Sequence, residues 1–183
     1  MISKKYFRIL ILIPVLLSFG SLGCDALYRV LHKEGAEEKE LFGEIIPFVY
    51  HPGVEEVQKL LKLYGYNIGE IDGKMGVNTR NAISAFQGDQ HVKASRFIDK
   101  ETWVRLNMFS DVDLVVDAKL NARKVQAILK KAGFYLGLPA GKLGPRTQQA
   151  LKKFQKACGL EADGTVGIKT LSKLREYARN TPR

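Results

Sequence analysis

The chain has 183 residues, of which 45% are hydrophobic and 26% charged, and its 29 Lys+Arg against 19 Asp+Glu give a formal net charge of +10. That balance excludes a disordered or fibrous polypeptide and leaves room for one ordinary domain or two small ones. Two cysteines, Cys24 and Cys158, exclude a disulfide framework.

The first 23 residues read as an export signal. Lys4, Lys5 and Arg8 make a basic start, an apolar run follows from Ile9 to Phe19, and Gly20, Ser21 and Gly23 lead to Cys24. As a helix that run spans only ~16 Å against ~30 Å of hydrocarbon core, which argues against a permanent membrane-spanning anchor. Ser21-Leu22-Gly23-Cys24 resembles a bacterial lipobox, which implies lipidation of Cys24; Ser21 and Leu22 depart from the preferred residues. The alternative is an ordinary Cys24 beside a conventional cleavage site. Asp25 resembles a signal for retention in the inner membrane. Residues 24–53 are expected to be a lipidated N-terminus and spacer, charged from His32 to Glu40 and then apolar with Pro47 and Pro52.

From Val57 the sequence repeats without gaps. VQKLLKLYGYNIGEIDGKMGVNTRNAISAFQ aligns with VQAILKKAGFYLGLPAGKLGPRTQQALKKFQ from Val125, an offset of 125 − 57 = 68. Identical pairs include Gln58/Gln126, Gly73/Gly141, Gly76/Gly144, Thr79/Thr147, Phe86/Phe154 and Gln87/Gln155, and the register continues to Leu106/Leu174. The chain has duplicated one unit.

Each unit is expected to hold three helices. The first runs from about Val54 to Tyr64 and from Asn121 to Ala132, with apolar residues at i, i+3 and i+4, and ends at Gly65 or Gly133. A Gly-rich loop leads to the second, Asn78 to Gln87 and Pro145 to Ala157, whose stripes are Ala82, Ile83, Phe86 and Ala150, Leu151, Phe154. The third spans Lys100 to Asn107 and Ile168 to Ala178. Leu114 to Val116 is the only strand-like run. The predicted organisation is all-α: unit one over 54–107, a linker over 108–120 too long for a tight hairpin and so compatible with loosely joined units, unit two over 121–178, and a tail over 179–183. Cys158 follows Phe154 and Ala157 in a helical pattern and reads as a small packed side chain.

The pattern VQxLLxxxGYxxGxxDGxxGxxTxxAxxxFQ, met from Val57 to Gln87, resembles the first peptidoglycan-binding domain family, and Gly159 to Leu174 resemble its second half, GLxxDGxxGxxTxxxL. The resemblance covers Val54 to about Tyr177. It implies a three-helix unit that binds bacterial cell-wall peptidoglycan, and it places the ligand near Tyr66, Asp72, Gly73, Lys74, Gly76, Thr79 and Arg80 in unit one. In unit two it points to Lys142, Gly144, Arg146, Thr147, Asp163 and Gly164. Each unit departs in one half, with Ser95-Arg96 standing where unit two has Asp163-Gly164, and Ala140-Gly141 where unit one has Asp72-Gly73.

The glycines have their own physical reading. Gly73 and Gly76, or Gly141 and Gly144, permit positive φ and close approach, and the loop feeds a helix N-terminus that favours an anion such as a stem-peptide carboxylate. The alternative is that the Asp-Gly pairs only make turns. Residues 122–183 hold 14 Lys+Arg and 3 Asp+Glu, a net of +11; residues 54–106 hold 8 and 7, a net of +1. Unit two is therefore the expected main contact with an anionic polymer.

His32, His51 and His91 lack metal-binding spacing, no nucleophile signature surrounds Cys158, and no cofactor or metal is expected. The export signal and the two resemblances together imply a non-catalytic, exported envelope lipoprotein facing the periplasm, with peptidoglycan and, through its lipid, the membrane as partners. The rival is an adaptor that binds an envelope complex or recruits a separate wall hydrolase. The export signal argues against nucleic acid.

Overall fold

The computed structural model describes residues 34–180. The expected export signal, Cys24 and the last three residues lie outside the described residues. Among those described, the chain is all-α: α1 (Glu34–Phe42), α2 (Pro52–Leu63), α3 (Val77–Asp89), α4 (Lys100–Leu106), α5 (Ala122–Lys131), α6 (Pro145–Ala157) and α7 (Ile168–Asn180). A 3-10 turn at Ser110–Val112 and a two-stranded ladder, β1 (Val115–Val116) with β2 (Lys119–Leu120), join α4 to α5.

The two units repeat each other element by element. Both first helices begin on a side-chain cap: His51 Nδ1 accepts from Gly53 N at 3.1 Å, and Asn121 Oδ1 accepts from Lys124 N at 3.1 Å. Both end where Gly65 or Gly133 takes a positive φ. Val57, Leu60 and Leu61 of α2 and Val125, Ile128 and Leu129 of α5 are buried on one stripe. The second helices add Ala82, Ile83, Phe86 and Ala150, Leu151, Phe154. Phe86 and Phe154 are both fully enclosed, Phe86 against Tyr64 and Tyr66, Phe154 edge-on to Phe134 and Tyr177. Leu106 of α4 and Leu171 and Leu174 of α7 close the cores.

The connectors differ from the sequence expectation. The segment read as a spacer is packed on unit one from α1 onward. Glu38 of α1, 2% exposed, takes a hydrogen bond on each oxygen from Arg80 of α3, at 2.6 and 2.9 Å, and Oε1 also accepts from Ile98 N at 3.1 Å. Phe42 lies edge-on to Trp103, and Ile45 is buried. A charged run reads as a solvated face in sequence, because nothing local shows that one of its glutamates meets an arginine 42 residues away.

The linker is likewise built into the body. Phe109, Leu114 and Val115 are buried, β2 rests on α2 of unit one, and the 3-10 turn rests on α7 of unit two. Asp111 accepts from Arg175 Nε at 3.1 Å and Nη2 at 2.8 Å and also pairs with Arg179. Residues Leu114 to Val116 do yield a strand, over Val115–Val116 only. Its partner strand follows a two-residue turn, Asp117-Ala118, with both residues left-handed. That geometry usually announces itself through Asn-Gly or Asp-Gly, and Ala118 hides it.

Candidate functional site

The Gly-rich loops are built around four buried glutamines, one near the middle of each helix–loop–helix half. In unit one, Gln58 of α2 donates through Nε2 to Asp72 Oδ1 (2.9 Å), Lys74 O (3.1 Å) and Thr79 Oγ1 (3.0 Å). Its Oε1 accepts from the backbone N–H groups of Asp72 and Gly73. Gln87 of α3 treats the next loop the same way, donating to Ser95 Oγ, Phe97 O and Thr102 Oγ1 and accepting from Arg96 N. In unit two, Gln126 joins Lys142 O, Thr147 Oγ1 and Gly141 N, and Gln155 joins Asp163 Oδ1, Thr165 O, Thr170 Oγ1 and Gly164 N. The spacing from Asp72 to Thr79 recurs from Ser95 to Thr102, Ala140 to Thr147 and Asp163 to Thr170. A single amide thus holds both ends of every loop, and burial of its polar atoms is tolerated because each is bonded.

This arrangement assigns structural work to several candidate residues. Asp72 also accepts from Lys74 N at 2.9 Å, and Asp163 from Thr165 N and Oγ1. Hydrogen bonds, first from Gln58 to Asp72 and first from Thr165 to Asp163, hold both carboxyls below the ordinary carboxylate range. Thr79 and Thr147 are buried under their glutamines. Gly73 and Gly141 are left-handed, as their place in the turn requires. Gly76 and Gly144 are not; they adopt extended backbone as the N-caps of α3 and α6.

Arg80 does not stand at a ligand surface. It is 1% exposed, bound to Glu38 and to Arg96 O, with its guanidinium 4.5 Å from the Phe97 ring centroid. Tyr66 is also apart: its ring packs on Phe86 and its hydroxyl donates to Asp89 at the far end of α3, about 18 Å along the helix from the Gly-rich loop. Burial and the Asp89 carboxylate push the Tyr66 hydroxyl pKa up. Asp163 and Gly164 lie in the loop after α6, separate from Lys142, Gly144 and Arg146 before it.

What remains for a ligand is the mouth of the loops before α3 and α6. Neither helix N-terminus carries a side-chain cap, in contrast to α2, α4 and α5. In unit one, a groove at this point is lined by Phe48, Ile68, Glu70, Lys74, Val77 and Asn78. The two mouths are not equally open. The Tyr50 ring lies over Gly73, where an added Cβ would meet it at 2.4 Å, and His51 N donates to Gly73 O at 2.8 Å. The equivalent Gly141 meets only the Arg123 side chain, at 3.9 Å, and Lys142 and Arg146 are exposed beside it. The glutamines were visible in sequence as identical pairs at the 68-residue offset, but a polar residue on an apolar stripe does not reveal which loop it holds. No group of three or more His, Cys, Asp or Glu able to hold a metal occurs among the described residues.

Comparison with known proteins agrees with this construction. A stretch of 50 residues, 27% of the chain, is 46% identical to the N-acetylmuramoyl-L-alanine amidase CwlM of Mycobacterium tuberculosis (strain ATCC 25618 / H37Rv). The match spans only 12% of that protein's length. No solved structure matches the chain. The family described as "Putative peptidoglycan binding domain" matches twice, over residues 50–106 and 119–174, which are the two helical units with their glutamine-held loops. The chain therefore belongs to the peptidoglycan-binding domain family, in two tandem copies.

Proposed function

We propose that the protein is a non-catalytic wall-binding lipoprotein, tethered to a membrane through Cys24 and attached non-covalently to peptidoglycan, with unit two making the main contact. The observation that carries the ranking is the difference between the two glycines: Gly73 lies under Tyr50, whereas Gly141 is open and flanked by exposed Lys142 and Arg146. A stem-peptide carboxylate at that mouth would meet two cations and the Arg146 N–H, since Pro145 has no N–H and those of Gly144 and Thr147 are bonded within the turn, and charge-assisted bonds are the stronger kind. The net of +11 over residues 122–183 works in the same direction.

The support for binding rather than cleavage is that both family matches are to a binding unit and together they span most of the described chain. A lipid on Cys24 would leave ten residues before α1 begins, a reach of at most about 36 Å. Because α1 is locked to unit one, the module would then sit close to the bilayer rather than on a long spacer.

The test is charge reversal in the full chain. Lys142→Glu with Arg146→Glu should weaken binding to purified sacculi about tenfold or more, and Lys74→Glu should change it little. Equal losses, or a larger loss with Lys74→Glu, would reverse the ranking. Intact mass of the native N-terminus decides the tether separately, since an unmodified Cys24 removes it.

A further inference from the structure

The loop between α5 and α6 carries a second feature that a polar wall ligand does not use. In unit one, Ile68 is 4% exposed and the position two residues on is Glu70. At the equivalent positions of unit two, Leu136 and Leu138 are 95% and 81% exposed, the most exposed large apolar side chains among the described residues. The cause is a one-residue change of the inward position. Tyr135 is 8% exposed where the equivalent Asn67 is exposed, and Leu136 faces water where the equivalent Ile68 is 4% exposed.

The loop is braced in that conformation. Gly137 passes over the Tyr135 ring so closely that a Cβ would meet its hydroxyl oxygen at 2.7 Å. The same hydroxyl donates to Leu138 O at 3.4 Å, and Phe134 is fixed edge-on to Phe154. Two leucines are therefore held in water by the residues beneath them. Cations bracket the pair: exposed Lys130 and Lys131 close α5 where the chain enters the loop, and the Arg123 side chain lies against Gly141 at its other end.

Single exposed apolar residues are ordinary, but two leucines held outward together on one braced loop make a small apolar tip that suits an apolar occupant, and the cations around it suit a negative one. A bilayer with anionic headgroups offers both, its acyl region to the leucines and its surface potential to the lysines and arginine. We infer that Leu136 and Leu138 form an insertion tip by which unit two docks on an anionic phospholipid surface. The contact does not depend on a lipid at Cys24, and it would give the chain a membrane attachment at each end.

The experiment uses the full chain carrying Leu136→Trp, with the unsubstituted chain supplying the Trp103 baseline. It is mixed with vesicles whose acyl chains are brominated, either phosphatidylcholine alone or phosphatidylcholine with phosphatidylglycerol. Emission from the new tryptophan should be quenched in the anionic vesicles and not in the zwitterionic ones. Adding Leu138→Asp, or Lys130→Glu, should weaken that quenching severalfold in lipid concentration, with an unchanged circular dichroism spectrum showing that the fold is kept. No quenching in anionic vesicles overturns the inference. Equal quenching in both vesicles overturns the role given to charge. A blue shift on sacculi without quenching in vesicles means the tip contacts the wall instead. Loss of sacculus binding in the Lys142→Glu/Arg146→Glu chain bears on wall attachment alone and leaves this inference standing.

Discussion

At the scale of single residues, the four glutamines explain why the loops before and after the second helices look alike despite different sequences. Gln155 satisfies four partners at once, and truncation would leave the Gly164 N–H and the Thr165 carbonyl without their bonds. Gln155→Ala should therefore cost about 1–3 kcal/mol, the usual penalty for stranding buried polar groups, read as a shift in the urea midpoint. Three carboxyls, Asp72, Asp111 and Asp163, are held below the ordinary value near 3.8, Asp111 first by its bonds from Arg175. A depressed native pKa means stability that is complete above the ordinary value and lost as pH falls through the native one. Thermal melts should be flat from about pH 7 to 5 and fall steadily below about pH 4; a rise in that acidic range would contradict the bonding described. The Asp-Gly pairs were legible in sequence, but their role was not, because the same dipeptide serves a turn and a ligand equally well. Only the hydrogen bonds from Gln58 and Gln155 distinguish the two uses.

The elements show where pattern was enough and where it failed. Helices α2 to α7 follow from apolar spacing, the glycines after α2 and α5, and Pro145 at the start of α6, all of which are local signals. The packing of α1 is not local. Its buried Glu38–Arg80 pair depends on a contact 42 residues away, and the charged stretch around it looks like a solvated surface. Glu38→Ala should cost about 3–5 kcal/mol because it strands a buried guanidinium, whereas the double change Glu38→Leu with Arg80→Met should cost far less. If both variants melt like the unsubstituted protein, α1 is not part of unit one. The β1–β2 turn offers the opposite kind of test. Ala118 carries a φ of 52°, and Ala118→Gly should relieve about 1–2 kcal/mol of strain, offset by the greater freedom of glycine in the unfolded chain and loss of one half-buried methyl, so that stability rises by about 0.5 kcal/mol, read from the urea midpoint.

Across the whole molecule, the two units and their connectors form one packed body rather than two beads on a string. The Asp111 contacts with Arg175 and Arg179 and the hairpin resting on α2 join the linker to both sides. The overall duplication was legible because a gapless 68-residue offset survives in the sequence; the packed joint was not, since Asp111, Asp113 and Asp117 read as a solvated linker and Ala118 gives no hint of its left-handed turn. The asymmetry of charge, with unit two the basic one, was also legible, whereas the covering of Gly73 by Tyr50 needed the structure. On the proposed function, this body holds peptidoglycan without cutting it. The most direct test is co-sedimentation of the full chain with purified sacculi at low and high salt, with soluble wall fragments measured in the same tubes. The chain should pellet with the sacculi at 0.1 M salt and release more readily at 1 M, as the Debye length falls from about 10 Å to about 3 Å, while no fragments appear. A chain that stays in the supernatant at low salt, or sacculi that dissolve, would contradict it.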